Sequence, residues 1–389
     1  MTTMTITETD KKYVAGTYNR FPVEIVSGKG SVLTGSDGKE YIDMGSGIAV
    51  SSLGAADDGW IAAVTSQLSK VQHTSNLYYS EPCAALAEQL CLRTGMKKVF
   101  FSNSGAEANE CAIKAARKYS AEKKGNDFHT VITLKNSFHG RTLTTLAATG
   151  QDRFHELYTP LTPGFFHVTA GDAAELEDAI VKTRPAAVMI ETVQGEGGVV
   201  PVPKDYAALV GKLCRENDVP LIVDEVQTGN GRTGSLYSYT QFGLEPDVVS
   251  TAKGLAGGLP IGATLLGDKM KDVFSPGDNG STFGGNPVSC AGALYVLSQI
   301  NDALLSDVKL KSDYIFSELT GAPGVVSVTG LGLMIGIETE KPVAQVVSSC
   351  IEEGVLCLTA KTKLRLLPAL NIPFGLLRKA IGIIKSACI

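Results

Sequence analysis

Two periods of apolar and polar positions run through this chain. Five short apolar runs have the length and β-branched content of buried strands: Lys98-Val-Phe-Phe101, His129-Thr-Val-Ile-Thr-Leu134, Pro185-Ala-Ala-Val-Met-Ile190, Pro220-Leu-Ile-Val223 and Asp247-Val-Val-Ser-Thr251. Helical spacing separates several of them. Over 106–119, Ala108, Cys111, Ala112, Ala115 and Ala116 share one face, and 204–217 is a second such stretch. Strands alternating with helices predict an α/β fold built on a parallel sheet.

The flanks are patterned differently. Residues 31–44 predict a hairpin turning at Asp37-Gly38, and 59–70 an amphipathic helix with Ile61, Val64 and Leu68 on one face. Residues 1–12 are polar and expected to fray. Residues 73–79, HTSNLYY, read either as a surface loop or as a loop lining a site or a subunit contact. Beyond a glycine-rich turn at 280–287, helices are expected over 288–297, 302–319 and 343–353, and strands over 325–337 and 364–368. The composition shift at Pro287 marks a boundary. The expected division is an amino-terminal segment, 1–50, joining a small domain, then a large domain, 51–286, and the rest of the small domain, 287–389.

A length of 389 residues is in keeping with two domains. A net charge of −5 demands no basic face, so nucleic acid is not an expected partner. The apolar stretches are short or broken by Gly and Pro, and neither a membrane span nor a signal core is expected. Eight cysteines without a C-x-x-C pair argue against a metal site and fit reduced thiols in a cytoplasm.

The five runs end in polar, mostly charged residues, and open α/β sheets bind ligands at that edge. Asp224 and Lys253 would stand there together. Alone, each is an ordinary solvated turn residue. Together they are the two groups an aldehyde cofactor needs: a lysine to hold it as an imine and an acid for its ring nitrogen. Ser104 followed by Glu107 fits a capping box, so a helix begins directly after a strand. Free N–H groups at Gly105 and Ala106 could take a phosphate, though an ordinary capped helix has the same pattern. Phe138 could cover a flat ring or simply pack, and Arg141 could fork onto a carboxylate or be a surface charge. Arg365 sits inside an apolar run, where a buried salt bridge and a ligand carboxylate are the two choices. A rival stands in Gly229-x-Gly231-x-x-Gly234, a possible dinucleotide fingerprint. Its context is poor, because residues 235–240 do not open like a helix and no acid-terminated strand follows at the usual distance.

Seven segments in this order resemble the subgroup III aminotransferases: Phe101-Ser-Asn-Ser-Gly-Ala-Glu-Ala-Asn-Glu110, Phe138-His-Gly-Arg-Thr142, Glu191-Thr-Val-Gln-Gly-Glu-Gly-Gly198, Asp224-Glu-Val-Gln-Thr228, Gly231-Arg-Thr-Gly234, Ala252-Lys-Gly254 and Gly280-Ser-Thr-Phe-Gly-Gly-Asn-Pro287. That family uses pyridoxal 5'-phosphate on the aspartate-aminotransferase fold, fold type I. The resemblance covers roughly residues 14–370. It implies that Lys253 holds the cofactor and moves the proton, that Asp224 pairs with the pyridine nitrogen, and that Gln227 approaches the ring hydroxyl. Phe138 would stack on the ring. Ser104, Gly105 and Ala106 would bind the phosphate, joined by Thr282 from a second subunit of a homodimer. Arg141 and Arg365 would bind substrate carboxylates, with Glu196 gating Arg365. The implied reaction moves a terminal amino group to 2-oxoglutarate. N2-acetylornithine is the first donor; ornithine, succinylornithine and 4-aminobutyrate come next, and an amine shift within one molecule is the remaining alternative. Two departures stand out. Many members carry Thr where this chain has Ala106, and the turn at 53–59 differs from theirs.

Overall fold

A computed structural model of the protein describes residues 4–389. Seven strands form the central sheet, in the order Lys98–Ser102, Gly262–Leu266, Val248–Thr251, Leu221–Asp224, Ala187–Ile190, Val131–Leu134 and Phe165–Val168. Six run in one direction; Gly262–Leu266 alone is antiparallel to its neighbours. All five strands expected from the apolar runs are present, and their carboxyl ends therefore lie along one edge. Both faces of the sheet are covered, as an almost parallel sheet requires. On one face the helix Gly105–Lys124 buries Ala112, Ile113, Ala115 and Ala116 against Val131, Met189, Ile222 and Val248. On the other, Leu176 and Ile180, with Tyr206, Val210 and Cys214, pack against Ile132, Val188, Ile190 and Val223.

A second core gathers both ends of the chain. Ile42 and Met44 pack with Val308, Ile315, Ile335, Val346, Leu364, Ile381 and Ile384. The expected hairpin, Val32–Gly35 and Glu40–Asp43, pairs in parallel with Val355–Leu356. The single strand expected over 325–337 is instead a hairpin, Val325–Leu331 with Met334–Thr339. Gly332, at φ +59, makes its turn, where a Cβ would meet backbone atoms of Arg232 and Thr233 at 2.6 Å. The helix Pro287–Gln299 contributes Cys290, Ala293 and Leu297 to the core of the seven-stranded sheet. The composition shift at Pro287 thus precedes a helix that packs with the large sheet.

Two further expectations change. The segment expected to fray carries a helix, Ile6–Tyr13, capped reciprocally by Thr5 and Glu8. The helix Asp58–Leu68 buries Val64 and Gln67 but leaves Ile61 and Leu68 exposed, so the apolar stripe is not its inner face. Residues 229–234 form turns, and in line with the reading of the sequence no α-helix opens after them; only the short 3-10 helix Ser238–Phe242 follows. Their Arg232 is buried and donates to Leu333 O at 3.1 Å and Pro368 O at 2.5 Å, tying the two cores together. That glycine motif is a structural joint, without the helix N-terminus a dinucleotide needs. Among the described residues no single helix is long and apolar enough to cross a membrane.

Candidate active site

A cavity of about 410 Å³ opens at the carboxyl edge of the large sheet. The strand ends bring Ser104, Gly105, Ala106, Phe138, Arg141, Asp224, Gln227 and Lys253 into its lining. Two buried carboxylates line it, Asp224 and Glu191; Asp224 is the more fully hydrogen-bonded. Oδ2 accepts from Asn109 Nδ2 at 2.7 Å and lies 2.8 Å from His139 Nδ1, while Oδ1 accepts from Val226 N at 2.9 Å. A carboxylate only accepts, so His139 carries its proton on Nδ1. His139 Nε2 and Asn109 Oδ1 are buried without partners.

Lys253 follows the neighbouring strand at φ +42, a strained conformation for a non-glycine residue. Close packing holds it there: a Cβ on the next residue, Gly254, would lie 2.5 Å from Ser52 Oγ. Its ammonium has no hydrogen-bond partner among the described residues. Burial pushes its pKa down; the charges of Glu196 and Asp224 oppose that shift without cancelling it. Glu191, also fully buried, accepts from Phe138 N at 2.9 Å. Burial raises its pKa to about 7, with the His139 charge opposing and Asp224 adding.

The helix Gly105–Lys124 starts as expected, with Ser104 Oγ accepting from Glu107 N at 3.2 Å. The box is shifted by one residue, because Glu107 Oε2 reaches Asn103 N at 2.7 Å. The Gly105 and Ala106 N–H groups keep no intramolecular partner among the described residues and face the cavity. Phe138 forms one wall, edge-on to Phe154 at 5.8 Å. Arg141 stands exposed at the mouth, 4.6 Å over the Phe154 ring, with no ion pair among the described residues.

Arg365 is brought in from the second core, on the strand Lys363–Leu366. It is buried and paired through Nη1 with Glu196, and it also reaches Gln227 Oε1 at 3.3 Å; its Nε has no partner. Burial alone would raise the Glu196 pKa, but the charge and hydrogen bond of Arg365 outweigh it and hold the carboxyl below its usual range. Thr282 is not among the residues around this cavity; it lies exposed on the 281–286 turn. Asn109, His139 and Val226 went unassigned in the sequence. For Asn109 a signal existed: a polar residue beside the apolar stripe of its helix.

An acid at the floor, a lysine without a partner, an aromatic wall and free helix N–H groups fit a phosphorylated pyridine aldehyde. The architecture is that of fold type I enzymes. A model of the family "Aminotransferase class-III" matches residues 13–388. The chain belongs to the class-III aminotransferases. It is 51% identical over 374 residues to the acetylornithine aminotransferase of Haemophilus ducreyi, covering 96% of this chain and 95% of that protein. The N-acetylornithine aminotransferase of Stenotrophomonas maltophilia is 34% identical and superposes with a TM-score of 0.83 over 95% of this chain and 96% of that one. The ornithine aminotransferase of Toxoplasma gondii, crystallised with oxidised glutathione and with partial occupancy of PLP at its active site, is 33% identical. Its TM-score is 0.92, with 98% of this chain and 93% of that chain covered.

Proposed function

We propose that this chain transfers the δ-amino group of N2-acetylornithine to 2-oxoglutarate, giving N-acetylglutamate 5-semialdehyde and glutamate, as a step of arginine biosynthesis. Pyridoxal 5'-phosphate would be the cofactor. Bound, it supplies an electron sink for the carbon that loses its proton. Lys253 holds the cofactor and carries the proton to and from the substrate carbon, and its lowered pKa favours the neutral amine for that work. Asp224 keeps the ring nitrogen protonated, and His139, Asn109 and Val226 N hold Asp224 in place. Gly105 and Ala106 take the phosphate, with Ser104 capping the same turn. Phe138 covers the ring, and Gln227 approaches its hydroxyl.

One observation carries the donor assignment: Arg365, which reaches the cavity-lining Gln227 but does not itself line the cavity, is already paired with Glu196. A neutralised arginine suits a donor with no carboxylate beside its reacting carbon. The acids around the cavity, Asp224 and Glu191, are buried and engaged. No free acid of this chain thus awaits the α-ammonium that ornithine would bring and acetylation removes. When 2-oxoglutarate enters, Glu196 swings aside, Arg365 takes the carboxylate next to the reacting carbon, and Arg141 at the mouth takes the far one.

A homodimer is the proposed assembly. Leu77, Tyr78, Tyr79 and Phe283 are exposed apolar side chains, with Phe283 next to Thr282 on its turn. Such exposure calls for a covering surface. A second copy there would bring Thr282 toward the partner's phosphate. Eight free cysteines support a reducing compartment, the cytoplasm.

A donor screen with 2-oxoglutarate as acceptor tests the reading. The purified protein should be yellow, and borohydride should fix the cofactor on Lys253. Acetylornithine should give the highest kcat/KM. A higher value for ornithine or 4-aminobutyrate would overturn the donor assignment, and a colourless protein without turnover would overturn the cofactor.

A further inference from the structure

A second cleft, of about 930 Å³, is lined by residues from the large sheet and from the hairpin of the second core. One wall is the loop after Val131–Leu134 together with residues 150–153; the other is the hairpin tip at Lys361 and Thr362. Three cations line it, Lys135, Arg153 and Lys361, with Asp152 the one acid. Lys135 is paired with Glu175 at 2.7 Å. Arg153 and Lys361 have no counter-ion among the described residues. Arg153 lies 4.5 Å over the Phe154 ring, and Lys361 donates only to the neutral Asn136 Oδ1, at 2.6 Å. Burial, and after it the charge of Arg153, pushes the Lys361 pKa down, so the two cations work against each other. His167 also lines the cleft, and burial lowers its pKa to about 4, which leaves it neutral and no third free cation. Lys361 and Asn136 both stand at positive φ, +54 and +68, so the contact between the walls joins two residues in left-handed backbone.

We infer that this cleft is a binding site for a small multivalent oxyanion, held between Arg153 on the large-sheet side and Lys361 on the hairpin tip. The chain as a whole is acidic, at net −5, so two uncompensated cations facing one cleft are a local feature and not part of a basic surface. The cleft is bounded on two sides and suits a metabolite-sized ligand. Phe166, partly exposed in its wall, offers an apolar face beside the charges. The site is separate from the cofactor cavity. The two share no lining residue, and the Asn136 carbonyl at the cleft packs against Gly197 so closely that a Cβ there would lie 2.6 Å from it. An anion on Lys361 competes with Asn136 for the ammonium and draws the hairpin tip toward Arg153.

Calorimetric titration of the holoenzyme tests this, with pyrophosphate and citrate as probes at an ionic strength fixed by potassium chloride. The two probes separate a phosphate site from a carboxylate site; one of them should bind saturably, once per protomer. Arg153→Gln and Lys361→Asn, the latter keeping a residue that tolerates positive φ, should each weaken that binding about tenfold or more. Lys212→Ala removes an exposed cation elsewhere and should leave it unchanged. The proposal is overturned if neither probe saturates, if both cleft variants bind like the parent, or if Lys212→Ala weakens binding as much as they do.

Discussion

Asp224 and Glu191 lie at the ends of adjacent strands, share the buried floor of one site and have opposite surroundings. Asp224 collects a side-chain amide, an imidazole and a backbone N–H; Glu191 has two backbone N–H groups, one at 2.9 Å and one at 3.4 Å. Burial therefore dominates at Glu191 and pushes its pKa to about 7 from an ordinary 4.5. A carboxyl raised in this way favours the folded state while both states are protonated. That contribution is lost as pH rises from 4.5 through about 7. For the cofactor-free protein, Glu191→Gln should flatten the fall in Tm between those pH values. Parallel Tm curves for parent and variant would remove Glu191 as its source. Asp224 and Lys253 were legible in the sequence because each ends a β-branched run. The partners of Asp224 were not, since His139 and Asn109 reach it only after three strands have assembled. The burial of Arg365 was legible from the apolar run around it, whereas the exposure of Arg141 was left open between a surface charge and a carboxylate binder.

At the scale of elements, the helix Gly105–Lys124 meets the turn after Leu221–Asp224 at its first residue. A Cβ on Gly105 would lie 2.6 Å from Val226 Cγ1 and 2.9 Å from Cγ2. Glycine is needed here for close approach, not for a special φ. Gly105→Ala should push Val226 outward, disturb its N–H bond to Asp224 and loosen the phosphate turn. Cofactor should then dissociate more readily, by about tenfold if roughly 1.4 kcal/mol is lost. The double variant Gly105→Ala, Val226→Ala should recover much of that affinity, because the two effects act through one contact. Equal dissociation constants for the single and double variants would rule the contact out. Elements were legible where period and length agreed: the helices Lys204–Glu216 and Asp302–Leu319 match the expected spans closely. Gly262–Leu266 escaped notice because Gly-Ala-Thr carries little strand signal, yet it fills the slot between Lys98–Ser102 at the sheet edge and the buried Val248–Thr251. The Val325–Thr339 hairpin merged into one strand because its turn, Leu331-Gly-Leu333, is itself apolar.

Over the whole molecule, the site is assembled where the two cores meet. The large sheet contributes Lys253, Asp224 and the loop bearing Glu196; the second core contributes Arg365. Gly336, paired with Arg365 across the small sheet, lacks a side chain that would press on Val199 Cβ at 2.9 Å. Thr329 Oγ1 also donates to Val199 O at 2.8 Å. The loop bearing Glu196 is therefore anchored to the sheet that carries Arg365, while Glu196 itself remains partly exposed. A buried pair of this kind is weak evidence for stability, because desolvation offsets much of its attraction. In the proposed function its value would lie in being switchable between two unlike substrates.

Single-turnover rates of the two half-reactions test that claim most directly, measured for the parent, Glu196→Ala and Arg365→Ala. Charge-assisted hydrogen bonds are worth about 1.5–3 kcal/mol each, or roughly one to two decades. Glu196→Ala should slow the acetylornithine half-reaction relative to the glutamate half-reaction by about that factor. Arg365→Ala should do the reverse, damaging glutamate and 2-oxoglutarate far more than acetylornithine. If each variant slows both half-reactions equally, Glu196 and Arg365 are a structural ion pair and the gate account is contradicted.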